Sequence, residues 1–333
     1  MKVLFFGVHE FERAYLESEM AKTPYEGTLL STRLTLETAG LANGYDAVCV
    51  FVHDKVNAQI VSVLKNGNTK LLLLRSAGFN HIDLESCSSA GIKVCRVPEY
   101  SPYAVAEHTI ALLLALDRKI HRAVSRVKDL NFSLDHLVGF DLHGKTVGVV
   151  GTGKIGGQVC RILKGFGCDV LAYDPYPNQE LVDDKICRYV ELNQLFKESV
   201  VISLHAPLTK ESHHLINSET LGLMRKGVFL INTSRGGLIE SSALIAGLKS
   251  GRVAGAALDV YEEEESVFFG DHSFEVLADD VLARLLTFPN VIITAHQAFL
   301  TQEALREISR VTVQSVDEFV KGRPLTNEVL SVK

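Results

Sequence analysis

Short apolar runs recur along the whole chain, and segments with helical periodicity separate most of them. In the first hundred residues, Asn57–Lys65 and Asp83–Ala90 have this periodicity. Near-continuous apolar runs are typical of parallel strands that are covered on both faces. The pattern therefore predicts a first α/β unit with a parallel sheet. Its predicted strands are Lys2–Val8, Asp46–Val52, Lys70–Arg75 and Lys93–Val97.

The same alternation resumes after Gly144. Its helical segments are Lys154–Gly165, Ser218–Met224 and Ser241–Lys249. Six parallel strands alternating with helices predict a doubly wound sheet. A last helix, about Thr301–Lys321, is expected to return to the first unit and complete it. The six predicted strands are Thr146–Val150, Asp169–Tyr173, Val200–Leu204, Val228–Asn232, Val253–Leu258 and Val291–Thr294.

A break in the pattern separates the two halves. Pro98 and Pro102 lie close together and indicate a hinge. A long helix pattern follows, roughly Tyr103–Val124, with the apolar run Thr109–Leu116 inside it. Such a helix must bury more than one face. It is either a core helix or a helix at a subunit contact, and the sequence leaves both interpretations open.

The composition of the chain is that of a globular protein. A chain of 333 residues that is 47% apolar and 22% charged suits two globular domains. The net charge of −6 gives no attraction to nucleic acid. No apolar run approaches the ~20 residues of a membrane span, and the N-terminus lacks the features of a signal peptide. The six cysteines form no C-x-x-C pair, so we expect reduced thiols and a cytoplasmic protein.

A glycine-rich turn carries the most informative chemistry. A β-branched strand leads into Gly151, Gly153 and Gly156, and a helix and a second strand ending on Asp174 follow. The first glycine permits a tight turn, the second lets the backbone approach a pyrophosphate, and the third lets the helix pack closely. The helix N-terminus offers unpaired N–H groups and a positive dipole end. The unit predicts a dinucleotide site.

Asp174 indicates which dinucleotide binds. It lies 18 residues after Gly156, where a carboxylate can accept hydrogen bonds from both ribose hydroxyls. The same carboxylate would repel a 2′-phosphate, and the following Pro175–Pro177 includes no arginine to receive one. The sequence therefore favours NAD over NADP.

Reactive side chains follow several predicted strands at their carboxyl ends, where doubly wound sheets bind ligands. They include Arg235, the run Glu262–Glu265 and His296. Reduction of a 2-keto acid by NADH needs a fixed cation, a proton donor and a carboxylate that orients the donor. Arg235, one glutamate of the run and His296 fit these roles. His205, which also follows a strand, remains a rival to His296.

Simpler interpretations exist for the same residues. A lone arginine after a strand is more often a surface ion-pair partner, and the glutamate run is compatible with a charged loop. His213 and His214 raise the question of a metal, but no cysteine or carboxylate lies at ligand spacing. We therefore expect no metal, with both histidines as solvated loop residues.

The chain resembles the NAD-dependent D-2-hydroxyacid dehydrogenases over essentially its whole length, and among them the D-lactate dehydrogenases. The segments that carry the resemblance are Arg75–Asp83, Val97–His108, Gly151–Gly156, Asp174–Pro177, Asn232–Gly236, Asp259–Glu262 and His296–Phe299. The resemblance implies an α/β protein with two doubly wound parallel-sheet domains. A flavodoxin-like catalytic domain would comprise residues 1–100 and 300–333, and an inserted Rossmann NAD-binding domain residues 101–299.

The resemblance also implies catalytic roles. Arg235 would bind the substrate carboxylate and polarise the keto group. His296 would be the acid/base and Glu264 its partner, which decides between His296 and His205. Glu264 lies 29 residues after Arg235, the family's spacing.

Binding residues follow from the resemblance as well. The backbone N–H groups of Ala77 and Gly78 would hold the substrate carboxylate, and Tyr100 and Phe299 would line the pocket. The cofactor would contact Gly151, Gly153, Lys154, Ile155, Gly156 and Asp174 at one end. Towards the nicotinamide it would border His205, Ala206, Pro207, Thr233 and Asp259.

The activity implied is reduction of pyruvate to D-lactate. The apolar run Thr109–Leu116 indicates an assembly of at least two chains, so we expect a homodimer or homotetramer. Some relatives carry an aromatic residue facing the substrate late in the strand Asp46–Val52. Phe51, Val52 and His53 compete for that place here, so larger 2-keto acids remain possible substrates. The role of His9 is open. Two alternatives are a broader D-2-hydroxyacid dehydrogenase and a non-catalytic NAD(H)-sensing protein of the co-repressor type.

Overall fold

The chain forms two compact units, Met1–Ser101 with Leu300–Lys333, and Pro102–Phe299. A computed structural model describes residues 1–264 and 267–330. The first unit is built from both ends of the chain, and the second is inserted between them. In the part of the chain that is described, no helix is long and apolar enough to cross a membrane.

The first unit contains a five-stranded sheet in the order β2-β1-β3-β4-β5, and every strand pair is parallel. This is the flavodoxin-like order of a doubly wound sheet. The strands are β1 Lys2–Phe5, β2 Glu26–Leu29, β3 Ala47–Val50, β4 Leu71–Leu74 and β5 Lys93–Arg96. The helices are α1 Glu10–Met20, α2 Ala58–Asn66, α3 Leu84–Ala90 and α12 Gln302–Val320, with a short 3₁₀ helix at Ala39–Ala42.

The four leucines of β4 show why this sheet is covered on both faces. Leu72 and Leu74 pack in the core that contains α2 residues, whereas Leu71 and Leu73 pack in the core that contains α1 and α12 residues. Successive side chains of a strand point to opposite faces, so a strand buried on both faces needs an unbroken apolar run.

The second unit contains a seven-stranded parallel sheet in the order β12-β11-β10-β9-β6-β7-β8. The order reverses next to β6, as in dinucleotide-binding folds. The strands are β6 Thr146–Val150, β7 Asp169–Tyr173, β8 Arg188–Tyr189, β9 Val201–Leu204, β10 Val228–Asn232, β11 Val253–Leu258 and β12 Val291–Ile293.

Helices cover both faces of this sheet. Val147 and Val149 of β6 pack in one core with α4 and α6, and Leu230 of β10 packs in the other core with α10. The helices are α4 Pro102–Asp117, α5 Ile120–Lys128, α6 Lys154–Gly165, α7 Gln179–Asp183, α8 Leu192–Glu198, α9 Ser218–Leu223, α10 Ser241–Lys249 and α11 Asp280–Leu286, with a 3₁₀ helix at Gly236–Leu238.

The single long helix predicted over Tyr103–Val124 is wrong. Two helices, α4 and α5, replace it, because Lys119 adopts a left-handed conformation with φ +51° and breaks the hydrogen-bond ladder. The run Thr109–Leu116 lies in α4. Its residues Ile110, Leu112 and Leu113 are buried in the core of the second unit, so the core-helix interpretation holds for them.

Candidate active site

The turn between β6 and α6 requires its glycines. Gly151 has φ +89°, and a Cβ there would lie 2.6 Å from the carbonyl carbon of His205. A Cβ on Gly156 would lie 2.0 Å from the oxygen of Gly151, whereas a Cβ on Gly153 would meet nothing within 4 Å. Two glycines thus permit close packing, and the third leaves open space beside the backbone. This is the shape that a pyrophosphate needs.

Helix α6 begins at Lys154, with Gly153 as its N-cap. Helix geometry leaves the first N–H groups without intrahelical acceptors, and a glycine cap offers no side chain to satisfy them. These groups and the positive end of the helix dipole suit an anion in the open space beside Gly153.

Asp174 lies at the end of β7 and is held against the glycine turn. Its Oδ2 accepts hydrogen bonds from the backbone N–H of Thr152 at 2.6 Å and from the Thr152 hydroxyl at 3.2 Å. Its Oδ1 accepts the N–H of Tyr176 at 2.9 Å. The hydroxyls of Thr152 and Tyr189 lie 2.7 Å apart. Tyr189 belongs to the short edge strand β8 and carries no pattern from which its role could be predicted.

His296 and Glu264 form the closest pair of the predicted catalytic residues. Their Nδ1 and Oε1 atoms are 2.7 Å apart, and both side chains are about one-fifth exposed (21% and 19%). The other oxygen of Glu264 accepts the backbone N–H of Tyr261 at 2.9 Å, which fixes the carboxylate. Because Nδ1 is engaged, Nε2 is the nitrogen left for proton transfer.

Asp259 holds His296 in an unusual conformation. His296 has φ +51°, in the left-handed region that side chains other than glycine rarely adopt. Its N–H donates to the Asp259 carbonyl at 2.7 Å, and the N–H groups of Gln297 and Ala298 donate to the Asp259 carboxylate at 2.9 Å each. Three consecutive N–H groups therefore end on one residue, which fixes the chain around the histidine.

The Asp259 carboxylate remains ionised in this setting. Burial alone would raise its pKa, but hydrogen bonds from His108, Thr294 and Ala298 outweigh burial and lower it. The Thr294 hydroxyl donates to Oδ1 at 2.5 Å, and His108 Nε2 lies 3.4 Å from the same oxygen. His108 is a contributor that the sequence analysis did not single out.

Arg235 follows β10, the strand beside β11 in the sheet. Asn232 Nδ2 donates to the Arg235 carbonyl at 2.9 Å, and the guanidinium Nη1 donates to the Ser234 carbonyl at 2.7 Å. Among the described residues the guanidinium bonds to no other group, so most of its donors are available to a ligand. A Cβ on the next residue, Gly236, would lie 2.0 Å from the Tyr261 oxygen, so this loop packs against the backbone that leads to Glu264.

The rival histidine, His205, has a different environment. Burial lowers its pKa to about 3, and its Nε2 lies 2.8 Å from the Ser203 hydroxyl. It is therefore neutral at physiological pH and cannot supply a proton as imidazolium. Its backbone adjoins Gly151, and the Ala206 carbonyl accepts the Ser234 hydroxyl at 2.7 Å. Pro207 and Thr233 lie on the same loops, and the hydroxyls of Thr233 and Thr109 are 2.8 Å apart.

In the first unit, Ala77 and Gly78 follow β4 in a loop whose carbonyls are both fixed. Arg96 Nη1 donates to the Ala77 carbonyl at 2.8 Å, and the Ser76 hydroxyl donates to the Gly78 carbonyl at 2.7 Å. The Arg96 guanidinium also lies 5.1 Å from the centroid of the Phe79 ring. In a trans peptide the N–H points opposite to the preceding C=O. Fixing the Ala77 carbonyl therefore orients the N–H of Gly78.

A buried ion pair lies at the start of the loop that carries Ala77 and Gly78. The Arg75 and Glu12 side chains are almost fully buried, with Nε and Oε2 3.0 Å apart, and Arg75 also donates to the carbonyls of Phe6 and Gly7. This pair ties the end of β4 to α1 and to the end of β1. The two residues lie 63 positions apart, so the pattern along the chain could not predict this pair.

His9 and Phe51 lie beside this ion pair. The His9 ring stacks on Phe11 with centroids 5.2 Å apart and meets Phe51 edge-on at 5.0 Å. Burial is the largest of several effects on His9 and lowers its pKa. Of the three residues that compete for the substrate-facing position, Phe51 and His53 are buried and Val52 is half-buried.

Tyr100 and Phe299, predicted to line the pocket, lie where the chain passes from one unit to the other. Tyr100 is the second-last residue of the segment Met1–Ser101, and Phe299 is the last residue of the inserted unit. Both are half-buried.

A glycine turn, a ribose-type carboxylate and a His–Glu pair on a doubly wound sheet define a nucleotide-dependent dehydrogenase. Residues 110–298 match the sequence model of the D-isomer specific 2-hydroxyacid dehydrogenase, NAD binding domain. The chain belongs to this family of D-isomer-specific 2-hydroxyacid dehydrogenases. It is therefore an oxidoreductase with NAD as its cofactor.

Relatives cover almost the entire chain. The chain is 47% identical to the 2-hydroxyacid dehydrogenase A of Aspergillus oryzae, over 99% of this chain and 95% of that one. It is 46% identical to the D-lactate dehydrogenase of Escherichia coli, over 99% and 100%. The apo structure of the Escherichia coli D-lactate dehydrogenase superposes with a TM-score of 0.91 at 44% identity, and covers 99% of this chain and 100% of its own. The Aquifex aeolicus D-lactate dehydrogenase complexed with NAD and lactic acid gives 0.87 at 38% identity, over 99% and 100%.

Proposed function

We propose that the protein catalyses the reversible reduction of pyruvate to D-lactate by NADH. The observation that carries the proposal is the His296–Glu264 pair, fixed at the carboxyl edge of a sheet whose first turn suits a dinucleotide. The names of the Escherichia coli relative and of the Aquifex complex with lactic acid support this substrate.

We assign one role to each unit. Residues 1–100 with 300–333 form the catalytic, substrate-binding domain, and residues 101–299 form the NAD-binding domain. Support comes from the family match, which lies wholly within the second segment.

Bound NADH supplies the hydride that reduces the keto carbon. The backbone of Gly153, Lys154 and Ile155 would approach the pyrophosphate. Gly151 and Gly156 would contribute by permitting the close packing of the turn, and the Gly151 N–H donates to the Tyr173 carbonyl at 2.8 Å. Asp174 would accept the ribose hydroxyls. The loops that carry His205, Ala206, Pro207, Thr233 and Asp259 would border the nicotinamide half. The fit rests on the space beside Gly153 and on the carboxylate fixed next to Thr152.

In the reaction, Arg235 grips the substrate carboxylate and the keto oxygen with its free guanidinium donors. Two parallel hydrogen bonds from the planar guanidinium compensate the negative charge of the substrate and fix its orientation. His296 delivers a proton from Nε2 to the oxygen as the alcohol forms. Glu264 accepts the hydrogen bond from Nδ1–H, so the proton leaves from Nε2. Asp259 keeps the histidine backbone in place and acts as a positioning residue as well.

In the first unit, the backbone N–H groups of Ala77 and Gly78 in the loop after β4 would donate to the substrate carboxylate. Support comes from the Ala77 carbonyl, which Arg96 fixes at 2.8 Å. Tyr100 and Phe299 would supply apolar walls. Donors that are already fixed raise affinity because little conformational freedom is lost on binding.

A substitution of His296 tests the mechanism. His296→Gln should lower kcat for pyruvate reduction by about 10²–10⁴-fold, because it removes the proton donor. NADH binding, followed by nucleotide fluorescence, should change little. The matched control is His272→Gln, an exposed histidine that also pairs with a glutamate, Glu275, and it should retain wild-type turnover. Wild-type turnover by His296→Gln would contradict the assignment.

A broader 2-keto acid specificity is a second candidate. It is favoured by the relative from Aspergillus oryzae, which is named only as a 2-hydroxyacid dehydrogenase. Phenylpyruvate and pyruvate turnover at equal kcat/KM would support it.

We further propose a homodimer or homotetramer in a reducing, cytoplasmic compartment. The six cysteines are free thiols. Helix α5 and the segment after it expose apolar side chains, which marks an association surface. These side chains belong to Ile120, Val124, Val127, Leu130, Phe132, Leu134 and Val138. Sedimentation of a monomer at all protein concentrations would contradict the oligomer.

A further inference from the structure

Two histidines and one carboxylate meet on the second unit, at a place the catalytic assignment does not use. His214 Nε2 and Glu262 Oε1 are 2.5 Å apart, and the rings of His213 and His214 stack with centroids 3.8 Å apart. One ligand atom from each of the three residues lies within 4.8 Å of the others. Glu262 is 48 positions from His214 in the sequence, so spacing along the chain could not reveal the cluster.

Two of the three groups are already oriented. The second oxygen of Glu262 accepts the hydroxyl of Ser241 at 2.9 Å. The backbone of His214 is fixed through its N–H, which donates to Gly237 at 2.8 Å, and through its carbonyl, which accepts Asn217 Nδ2 at 3.0 Å. A hydrogen bond to a ligating carboxylate, such as that from Ser241 to Glu262, orients the ligand and raises metal affinity. The backbone bonds of His214 restrict where its ring can lie.

The third group can adjust. His213 is exposed, so its ring can turn away from the stacked position, and solvent can reach the cluster. The side chains of His214 and Glu262 are about one-third exposed. A metal ion bound by these three residues would keep open coordination positions for water. Two imidazoles and one carboxylate suit zinc and other divalent transition metals better than magnesium or calcium.

We propose that His213, His214 and Glu262 bind one divalent transition-metal ion of the zinc class. The ion replaces the His214–Glu262 hydrogen bond and joins the loop after β9 to the segment after β11. Both elements adjoin the loop that carries Arg235: His214 pairs with Gly237, and Gly236 packs on Tyr261. Metal binding therefore tethers the surroundings of Arg235. The proposal does not depend on the substrate of the enzyme.

Equilibrium dialysis of the chelator-treated full-length protein against Zn²⁺ tests the site. The wild type should retain one zinc equivalent per chain. His213→Gln should weaken zinc binding more than about tenfold, because it removes one ligand and leaves the His214–Glu262 pair intact. The matched control is His272→Gln, which removes an exposed histidine from a two-residue His–Glu pair and should bind zinc as the wild type does.

Thermal unfolding gives a second readout that needs no enzyme activity. An ion that binds only the folded protein raises Tm, and the rise increases with the ratio of ion concentration to Kd. Zinc should raise the Tm of the wild type and of His272→Gln, and should raise that of His213→Gln much less. No retained zinc in the wild type would overturn the proposal. Equal retention by His213→Gln would also overturn it, since the ion would then bind without this residue.

Discussion

His296 illustrates how single residues make the site work. Its backbone is held in a left-handed conformation by Asp259, and its ring is held by Glu264. Strained conformations of this kind persist only where surrounding hydrogen bonds determine them, and they concentrate at functional sites. The strand ends predicted a glutamate of the run Glu262–Glu265 near His296, with His205 as a rival, and only the family resemblance singled out Glu264 and His296. The sequence could not predict the restraint by Asp259, because that restraint depends on backbone donors that have no residue signature.

A substitution of Glu264 tests the coupling to His296. In Glu264→Gln the Nδ1–H of His296 loses its hydrogen bond to a carboxylate, so the ring is held less firmly for proton transfer. The kcat for pyruvate reduction should fall by about tenfold or more, as the loss of a hydrogen bond to a charged group, about 1.5–3 kcal/mol, implies, while NADH affinity should change little. A wild-type kcat would contradict the coupling. Glu275→Gln, on the exposed His272 pair, is the matched control.

A substitution of Asp174 tests the choice of cofactor. Asp174→Ser removes the charge that would repel a 2′-phosphate but keeps a small hydrogen-bonding group. The preference for NADH over NADPH, measured as a ratio of kcat/KM values, should fall by about tenfold or more, since a lost charge repulsion of about 1.4 kcal/mol has this effect. Asp169→Ser, at the exposed start of the same strand, should leave the ratio unchanged. An unchanged ratio in Asp174→Ser would refute the ribose assignment.

At the scale of elements, burial determined which parts could be predicted from the sequence. Strands covered on both faces, such as β4 and β6, have unbroken apolar runs and were predicted. The edge strands β2 and β8 were missed, because half-exposed strands of two to four residues carry no such run. The break between α4 and α5 was missed as well, since Lys119 has no residue preference for the conformation it adopts.

The loop after β4 provides a prediction at this scale. Arg96→Met should free the Ala77 carbonyl and loosen the N–H groups of Ala77 and Gly78, which we propose as donors to the substrate carboxylate. KM for pyruvate should rise by about tenfold, as the loss of roughly one charge-assisted hydrogen bond implies, with a smaller change in kcat. Arg284→Met removes another arginine that stacks on a phenylalanine, Phe288, and should leave both constants unchanged. A wild-type KM for Arg96→Met would contradict the positioning role.

Helix α12 is anchored through a carboxylate whose ionisation should contribute to stability. Glu318 accepts the N–H and hydroxyl of Thr326 and Nε2 of Gln314. Burial alone would raise its pKa, but these hydrogen bonds outweigh burial and lower it. A depressed folded-state pKa stabilises the protein above the unfolded-state pKa, and that stabilisation is lost as pH falls through the folded-state pKa.

Glu318→Gln should therefore unfold more easily than the wild type near pH 7, by about 1–2 kcal/mol, and the difference should shrink below about pH 4. Urea unfolding at several pH values measures this. Glu26→Gln, on the exposed edge strand, should show no comparable change. A difference that does not vary with pH would show that the carboxylate charge is not responsible.

At the scale of the whole molecule, each unit is a complete doubly wound sheet, and the chain passes from one to the other after Ser101 and before Leu300. The apolar alternation along the chain predicted both sheets. It could not predict partners that come together from distant segments, such as Arg75 with Glu12 or His214 with Glu262. Those contacts depend on loops whose course has no periodic signal.

The most direct test of the proposed function is to follow NADH oxidation by the purified protein with pyruvate, glyoxylate, 2-ketobutyrate and phenylpyruvate, and to resolve the product on a chiral column. The proposal predicts that pyruvate has the highest kcat/KM and that the product is D-lactate. NADH binding without turnover of any of the four acids would contradict it and would favour a nucleotide-sensing role.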